Sequence, residues 1–305
     1  MKLGRLDCTF RNPLVLASGP AGFGIEFHEG GLLEHVGALT TKTVTAVSRC
    51  GNPQPRFVDC ACGALNSIGL QNPGIDAFVG EILPTVGRFP TVRIVSVAAE
   101  SAAAIGEVVG RLGDDERVDV LELNLSCPNI AGERVGEDAA QVERCVAAAR
   151  KETSKPVLAK LPGDGGRFLD VVGGALSAGA NGVTLINSVR GLRVDRFSGR
   201  PLLHRAFGGL CGPAILPVAL ARVYEAREAF PDAVIIGTGG VTDLGSFLEM
   251  LFAGADLVGV GFGVMADPGI AVCLPASLES WMRDRDIESV DELVGVAHRG
   301  GLDVC

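Results

Sequence analysis

The apolar positions of the chain fall into short continuous runs that do not alternate with polar ones. They lie at Leu14–Ala17, Ala38–Thr41, Val92–Ala98, Val118–Asn124, Pro156–Lys160, Gly182–Ile186, Val234–Gly237 and Leu257–Val260. Runs of this kind predict parallel strands buried on both faces. Between them, stretches of helical character cover Glu26–His35, Asp76–Val86, Ala102–Leu112, Asp138–Thr153, Arg167–Ala178, Pro213–Ala229 and Asp243–Ala253, and a last one covers Ile270–Arg283. Eight strand–helix pairs predict a closed (β/α)8 TIM barrel more than an open doubly wound sheet. The barrel is expected as one domain over residues 1–305, with a short β extension at its N-terminus. Two connections, Thr43–Gln71 and Asn187–Gly212, are long. They read as loops with little structure of their own, of the sort that covers a site.

Composition narrows the partners. A formal charge of −9 argues against nucleic acid or an anionic membrane as the main partner. Small anions stay open, because a few local lysines can outweigh a weak global charge. Nine cysteines, without zinc or ferredoxin spacing, predict a reduced, cytoplasmic protein with no metal of its own. No apolar stretch suits a membrane span. Glycine is in excess, 42 of 305 residues, against an ordinary share of roughly 7%. Many glycines follow the apolar runs, where close backbone approach to a ligand is one use.

In a barrel the chemistry gathers at the C-terminal strand ends. Those ends carry Ala17-Ser18-Gly19, Lys42, Asn124 with Cys127, Lys160, Asn187-Ser188, Gly239-Gly240 and Gly261. The clusters GTGGV (237–241) and GVGFG (259–263) are either plain tight turns or, in these two loops, a phosphate cradle of backbone N–H groups. Their spacing is no dinucleotide fingerprint. Lys160 and Lys42 each need a salt-bridge partner or an anionic ligand, and a reduced flavin would serve. Cys127 stands in NLSCPN (124–129) between two asparagines. A lone cysteine is more often inert, yet a thiolate beside fixed amides suits general-base chemistry on a planar polar ring. His28, His35, His204 and His298 fall away from the strand ends, so no histidine triad is expected. Cys145 and Cys273 read as small core residues, and Cys60 and Cys62 as packing beneath the NSIGLQN loop. Cys211 lies near the mouth with little claim to catalysis.

With these residues assembled, the chain resembles the dihydroorotate dehydrogenases. The likeness runs through NPLVLASG, TKTVT, GNPQPRF, NSIGLQNPG, NLSCPN, LAKLPGD, INSVRG, GGLCGPAILPVAL and IIGTGGV in the family's order. The resemblance implies one FMN per chain and Cys127 as the base of the class 1 enzymes. It implies a substrate site of Lys42, Asn66, Ser67, Ile68, Gly69, Leu70, Asn124, Asn129, Asn187 and Ser188. For the flavin it implies Ala17, Ser18, Gly19, Lys42, Thr43, Asn124, Lys160, Ile186, Gly212, Gly239, Gly240, Gly261 and Phe262. The reaction expected is oxidation of dihydroorotate to orotate, with C5 deprotonated and a hydride passing from C6 to flavin N5. GFGIE (22–26) and GNPQPRF (51–57) are most similar to the NAD-linked class 1B. That class implies a homodimer and a partner subunit carrying FAD and a 2Fe-2S cluster. A fumarate-linked class 1A enzyme and an FMN barrel for another dihydropyrimidine are the alternatives. The chain departs from the family at Phe262, where a threonine is usual, at Cys211, where a serine is usual, and in IAGERVGEDAA (130–140).

Overall fold

The computed structural model describes residues 1–126, 135–163 and 165–302. An antiparallel hairpin of β1 (Lys2–Leu3) and β2 (Cys8–Thr9) forms the N-terminal extension. The strands that follow are β3 (Leu14–Leu16), β4 (Ala38–Thr40), β5 (Phe57–Cys60), β6 (Gly63–Asn66), β7 (Val92–Val97), β8 (Val120–Asn124) and β9 (Val157–Leu161). After them come β10 (Gly182–Leu185), β11 (Val189–Leu192), β12 (Phe207–Cys211), β13 (Val234–Thr238) and β14 (Leu257–Val260). Eight of these close a parallel barrel in the order β3-β4-β7-β8-β9-β10-β13-β14. They are the eight strands expected from the apolar runs, with ends moved by a residue or two. Among the described residues no helix is long and apolar enough to cross a membrane.

The continuous apolar runs serve two cores. Val15, Ala38, Ile94, Val120, Leu158, Val234, Ile236 and Leu257 fill the barrel interior, and Leu6 and Phe10 plug it from below. The intervening residues, such as Leu121 and Leu123 on β8, pack outward against the helices. On β8 this alternation turns Val120, Glu122 and Asn124 inward. On β9 it turns Leu158 and Lys160 inward.

The helices follow their local chemistry. Asp138 caps Ala139–Glu152 by accepting from the N–H groups of Ala140 and Gln141. Asp243 and Ser246 form a reciprocal capping box on Leu244–Ala253. The stretch predicted as one helix over Glu26–His35 is instead Ile25–Glu29 and a 3-10 turn at Leu32–His35. Gly30 and Gly31 separate them, and Gly31 has the left-handed φ of 71° that ends a helix.

The two long connections correct the expectation of loops without structure. They pair with each other in a four-stranded antiparallel sheet, β11-β12-β6-β5, beside the C-terminal end of the barrel. These strands are four or five residues long, and three of the four contain glycine. Leu65 pairs with Leu210, so nothing local in the sequence marks the partnership. Gly63 shows why glycine is needed there, since a Cβ on it would lie 1.9 Å from the Cys211 carbonyl oxygen. Two cysteine assignments also change. Cys145 is buried as expected, but Cys273 is exposed, because its helix turns Leu274, Leu278 and Met282 inward. Cys62, expected to pack under a loop, is exposed between β5 and β6.

Candidate active site at the C-terminal end of the barrel

A row of polar side chains crosses the barrel mouth. Ser18, after β3, donates from Oγ to the Thr41 carbonyl at 2.8 Å and lies 3.2 Å from Thr43 Oγ1. Thr43 Oγ1, after β4, is 3.0 Å from Ser96 Oγ on β7. Asn124, at the end of β8, donates from Nδ2 to Thr43 Oγ1 at 3.1 Å. Its Oδ1 accepts from Asn187 Nδ2, after β10, at 3.3 Å. Asn187 Oδ1 in turn accepts from the Ser188 N–H at 2.8 Å. Thr43, Ser96 and Asn124 are buried. The row therefore fixes which way each amide points, while each amide nitrogen keeps a second N–H for another partner. Ser96 and Thr41 are members that the sequence reading missed. An inward serine on a buried strand gives no signal of its own.

Two lysines flank this row. Lys42 sits between Thr41 and Thr43, and its backbone N–H donates to Gly22. Burial, and then the charge of Arg56, hold its ammonium below the usual lysine range. Arg56 is itself oriented by donating to Gln71 Oε1 at 2.7 Å. Lys160 lies beside Asn124 in the β8–β9 register and is 6% exposed. Its ammonium has no ion pair among the described residues.

The four-stranded sheet brings in Asn66, whose Nδ2 donates to the Gly209 carbonyl at 3.1 Å. Ser188 meets the same glycine, because a Cβ on Gly209 would lie 2.0 Å from Ser188 Oγ. Asn66 and Ser188, remote in sequence, thus share one neighbour. Ser67 accepts from Asn52 Nδ2 at both its Oγ and its carbonyl, and the Ile68 carbonyl accepts from the Asn52 N–H. Gly69 and Leu70 both have positive φ, 77° and 53°. Asn72 Nδ2 holds the Leu70 carbonyl at 2.7 Å. Asn52 and Asn72 stand in the motifs GNPQPRF and NSIGLQN, and only the fold shows them as the braces of this loop. Burial raises the Cys211 thiol above the ordinary range, which suits a structural residue. Cys127 and Asn129 lie outside the described residues.

The glycine clusters meet as the barrel order requires. Gly240 has φ 83°, and a Cβ on it would lie 2.6 to 2.7 Å from Leu216 Cβ and backbone. Glycine here lets the β13 turn close on the helix Leu216–Ala229. The Phe262 ring packs on Gly212, 3.4 Å from where a Cβ would be. Ile186, buried, is hydrogen-bonded through its N–H to the Thr238 carbonyl. Gly19 and Gly261 differ from Gly240. A Cβ on Gly19 would meet nothing within 4 Å, and one on Gly261 only Ala17 and Pro20 at 3.6 Å. The chain's own packing does not demand glycine at Gly261, where a Cβ would make only ordinary contacts, and the space beside Gly19 is open. Glycine turns at the strand ends, a buried lysine and fixed amides form a set that fits FMN. Among the described residues no cluster of three His, Cys, Asp or Glu could hold a metal ion.

Known proteins share this chain's sequence along most of its length. The family model of dihydroorotate dehydrogenase matches residues 3–282. The dihydroorotate dehydrogenase B (NAD(+)) catalytic subunit of Desulforudis audaxviator is 39% identical over 96% of both chains. The catalytic subunit of the same name from Carboxydothermus hydrogenoformans is 37% identical over 98% of this chain and 97% of its own. The putative dihydroorotate dehydrogenase A (fumarate) of Aquifex aeolicus is 36% identical over 95% of this chain and 96% of its own.

Proposed function

The chain belongs to the dihydroorotate dehydrogenase family, and from that premise we propose that it oxidises (S)-dihydroorotate to orotate in pyrimidine biosynthesis. The observation that carries the reading is the row Ser18–Thr43–Asn124–Asn187 across the barrel mouth. Lys42 adjoins it in sequence and Lys160 in register. Lys42 attracts the substrate carboxylate, and Asn66, Asn124, Asn129 and Asn187 hold the ring, with Ser188 beside them. Cys127, as the thiolate, takes the proton from C5. FMN bound in this site would supply the acceptor for the hydride that leaves C6. Gly212, Gly239, Gly240 and Gly261 hold the phosphate through backbone N–H groups, and Lys160 supplies a cation for the flavin's pyrimidine end. Phe262 keeps its backbone N–H but contributes no hydroxyl to that cradle. Holding the ring so that the C5 proton faces the base and the C6 hydride faces the acceptor is a positioning effect, worth about 7–11 kcal/mol at most.

A partner subunit carrying FAD and a 2Fe-2S cluster would relay the electrons to NAD, with this chain as a homodimer. The relatives named as NAD(+) catalytic subunits support this route. The Aquifex relative supports fumarate as the second reading. One anaerobic experiment tests the core of the proposal. Adding L-dihydroorotate to the purified yellow protein should bleach its flavin band, and NAD or fumarate added next should restore it or not. A band that survives dihydroorotate but bleaches with dihydrouracil would move the substrate to another dihydropyrimidine.

A further inference from the structure

One layer below Asn124, inside the barrel, lies a carboxylate that the proposed chemistry does not use. Glu122 on β8 is 1% exposed. Its Oε2 accepts a hydrogen bond from Thr184 Oγ1 at 2.9 Å. Its Oε1 is the one buried side-chain oxygen or nitrogen without a partner among the described residues. A carboxylate so placed is costly unless another charge compensates it.

The strand register indicates which charge that is. Lys160 on β9 lies beside Asn124 on one flank and beside Thr184 on the other. Laterally paired residues share a face of the sheet, and Thr184 reaches Glu122, so all three point into the barrel. Diagonal neighbours on adjacent strands are roughly 7–8 Å apart, close enough for the two charges to act on each other although the side chains form no ion pair. Lys160 is 6% exposed and, like Glu122, has no ion pair among the described residues.

We infer that Glu122 is the counter-charge of Lys160, a fixed negative charge one layer below it that offsets its field at the cofactor without contacting the ammonium. The inference rests on the reading in which Lys160 serves the flavin. Thr184 holds the carboxylate from the barrel wall, so its place is set by the fold and not by substrate. The pair is neutral as a whole, which limits the cost of burying it. Lys160 then acts on the flavin through nearness rather than through a net positive charge of the barrel interior.

The test compares E122Q, K160M and E122Q/K160M as purified proteins. E122Q keeps the side-chain volume and the acceptor for Thr184 but carries no charge. The reduction potential of bound FMN, read against a reference dye, should rise in E122Q and fall in K160M. In the flavin-free proteins, urea unfolding should show coupling. Each single variant leaves one charge uncompensated, and the double variant should recover ~10-fold or more in the unfolding constant relative to the summed losses. If E122Q leaves the potential unchanged and the urea losses add, while K160M lowers the potential, Glu122 is only a core polar residue and the inference alone fails. If K160M leaves both FMN affinity and potential unchanged, the reading of Lys160 fails and this inference falls with it. Should E122Q alone not fold, the double variant decides: a folded one supports the pairing and an unfolded one overturns it.

Discussion

Replacing Asn124 with alanine separates holding the fold from holding the substrate. The substitution deletes the bond to Thr43 Oγ1 at 3.1 Å and the bond from Asn187 Nδ2 at 3.3 Å. At about 1 kcal/mol net for each, the folded state loses about 2 kcal/mol. Thr43 keeps Ser18 and Ser96 as partners. Asn187 is half-buried and can turn its amide to water, so the larger penalty of an orphaned buried group does not arise. Domains of ordinary stability, ~5–15 kcal/mol, remain folded after such a loss. The rate should suffer more. Removing one preorganised donor at a reacting group typically slows a reaction ~100- to 1,000-fold. Equilibrium urea unfolding and anaerobic stopped-flow bleaching of the flavin by dihydroorotate measure the two effects on the same preparation. A bleaching rate within about threefold of wild type, under ~0.7 kcal/mol in the barrier, would refute the reasoning. Asn124 would then be a strut of the barrel mouth and no more.

Further outcomes can be checked beside it. Lys42 is held below the usual lysine range by burial first and by Arg56 second. It therefore loses its charge, and its hold on a carboxylate, as pH rises through that depressed value. Arg56→Gln should move the alkaline fall in orotate affinity to higher pH, and an unmoved limb in a titration of binding against pH would reject the coupling. Cys127→Ser should retain FMN but bleach at least ~100-fold more slowly near neutral pH, since a hydroxyl is a far weaker base; equal rates would exclude Cys127 as the base. Gly240→Ala must adopt φ 83° with its Cβ against Leu216. Left-handed strain of ~1–2 kcal/mol and overpacking of ~1–3 kcal/mol should lower the urea midpoint, and an unchanged midpoint would show that the turn has room to spare.

The barrel itself was written in the sequence. Buried parallel strands demand continuous apolar runs and the helices between them demand a different period, so both are local signals. Caps such as Asp138 and Asp243 are local too. Lys42, Asn124, Lys160 and Asn187 could be named as candidates because a barrel puts every strand's C-terminal end at one mouth, whereas Asn66 and Gly212 came only from the family resemblance. Tertiary structure alone decided three things. It paired β6 with β12, because such short strands so far apart carry no mark of each other. It appointed Asn52, Asn72 and Ser96 as braces, since a hydrogen bond between distant segments, such as that from Asn72 Nδ2 to Thr45 Oγ1, has no spacing to read. It also left Glu122 with one oxygen unpartnered among the described residues beneath the mouth. In the sequence Glu122 is one charged letter in an apolar run; only closure of the barrel decides whether such a charge finds water, a partner or neither.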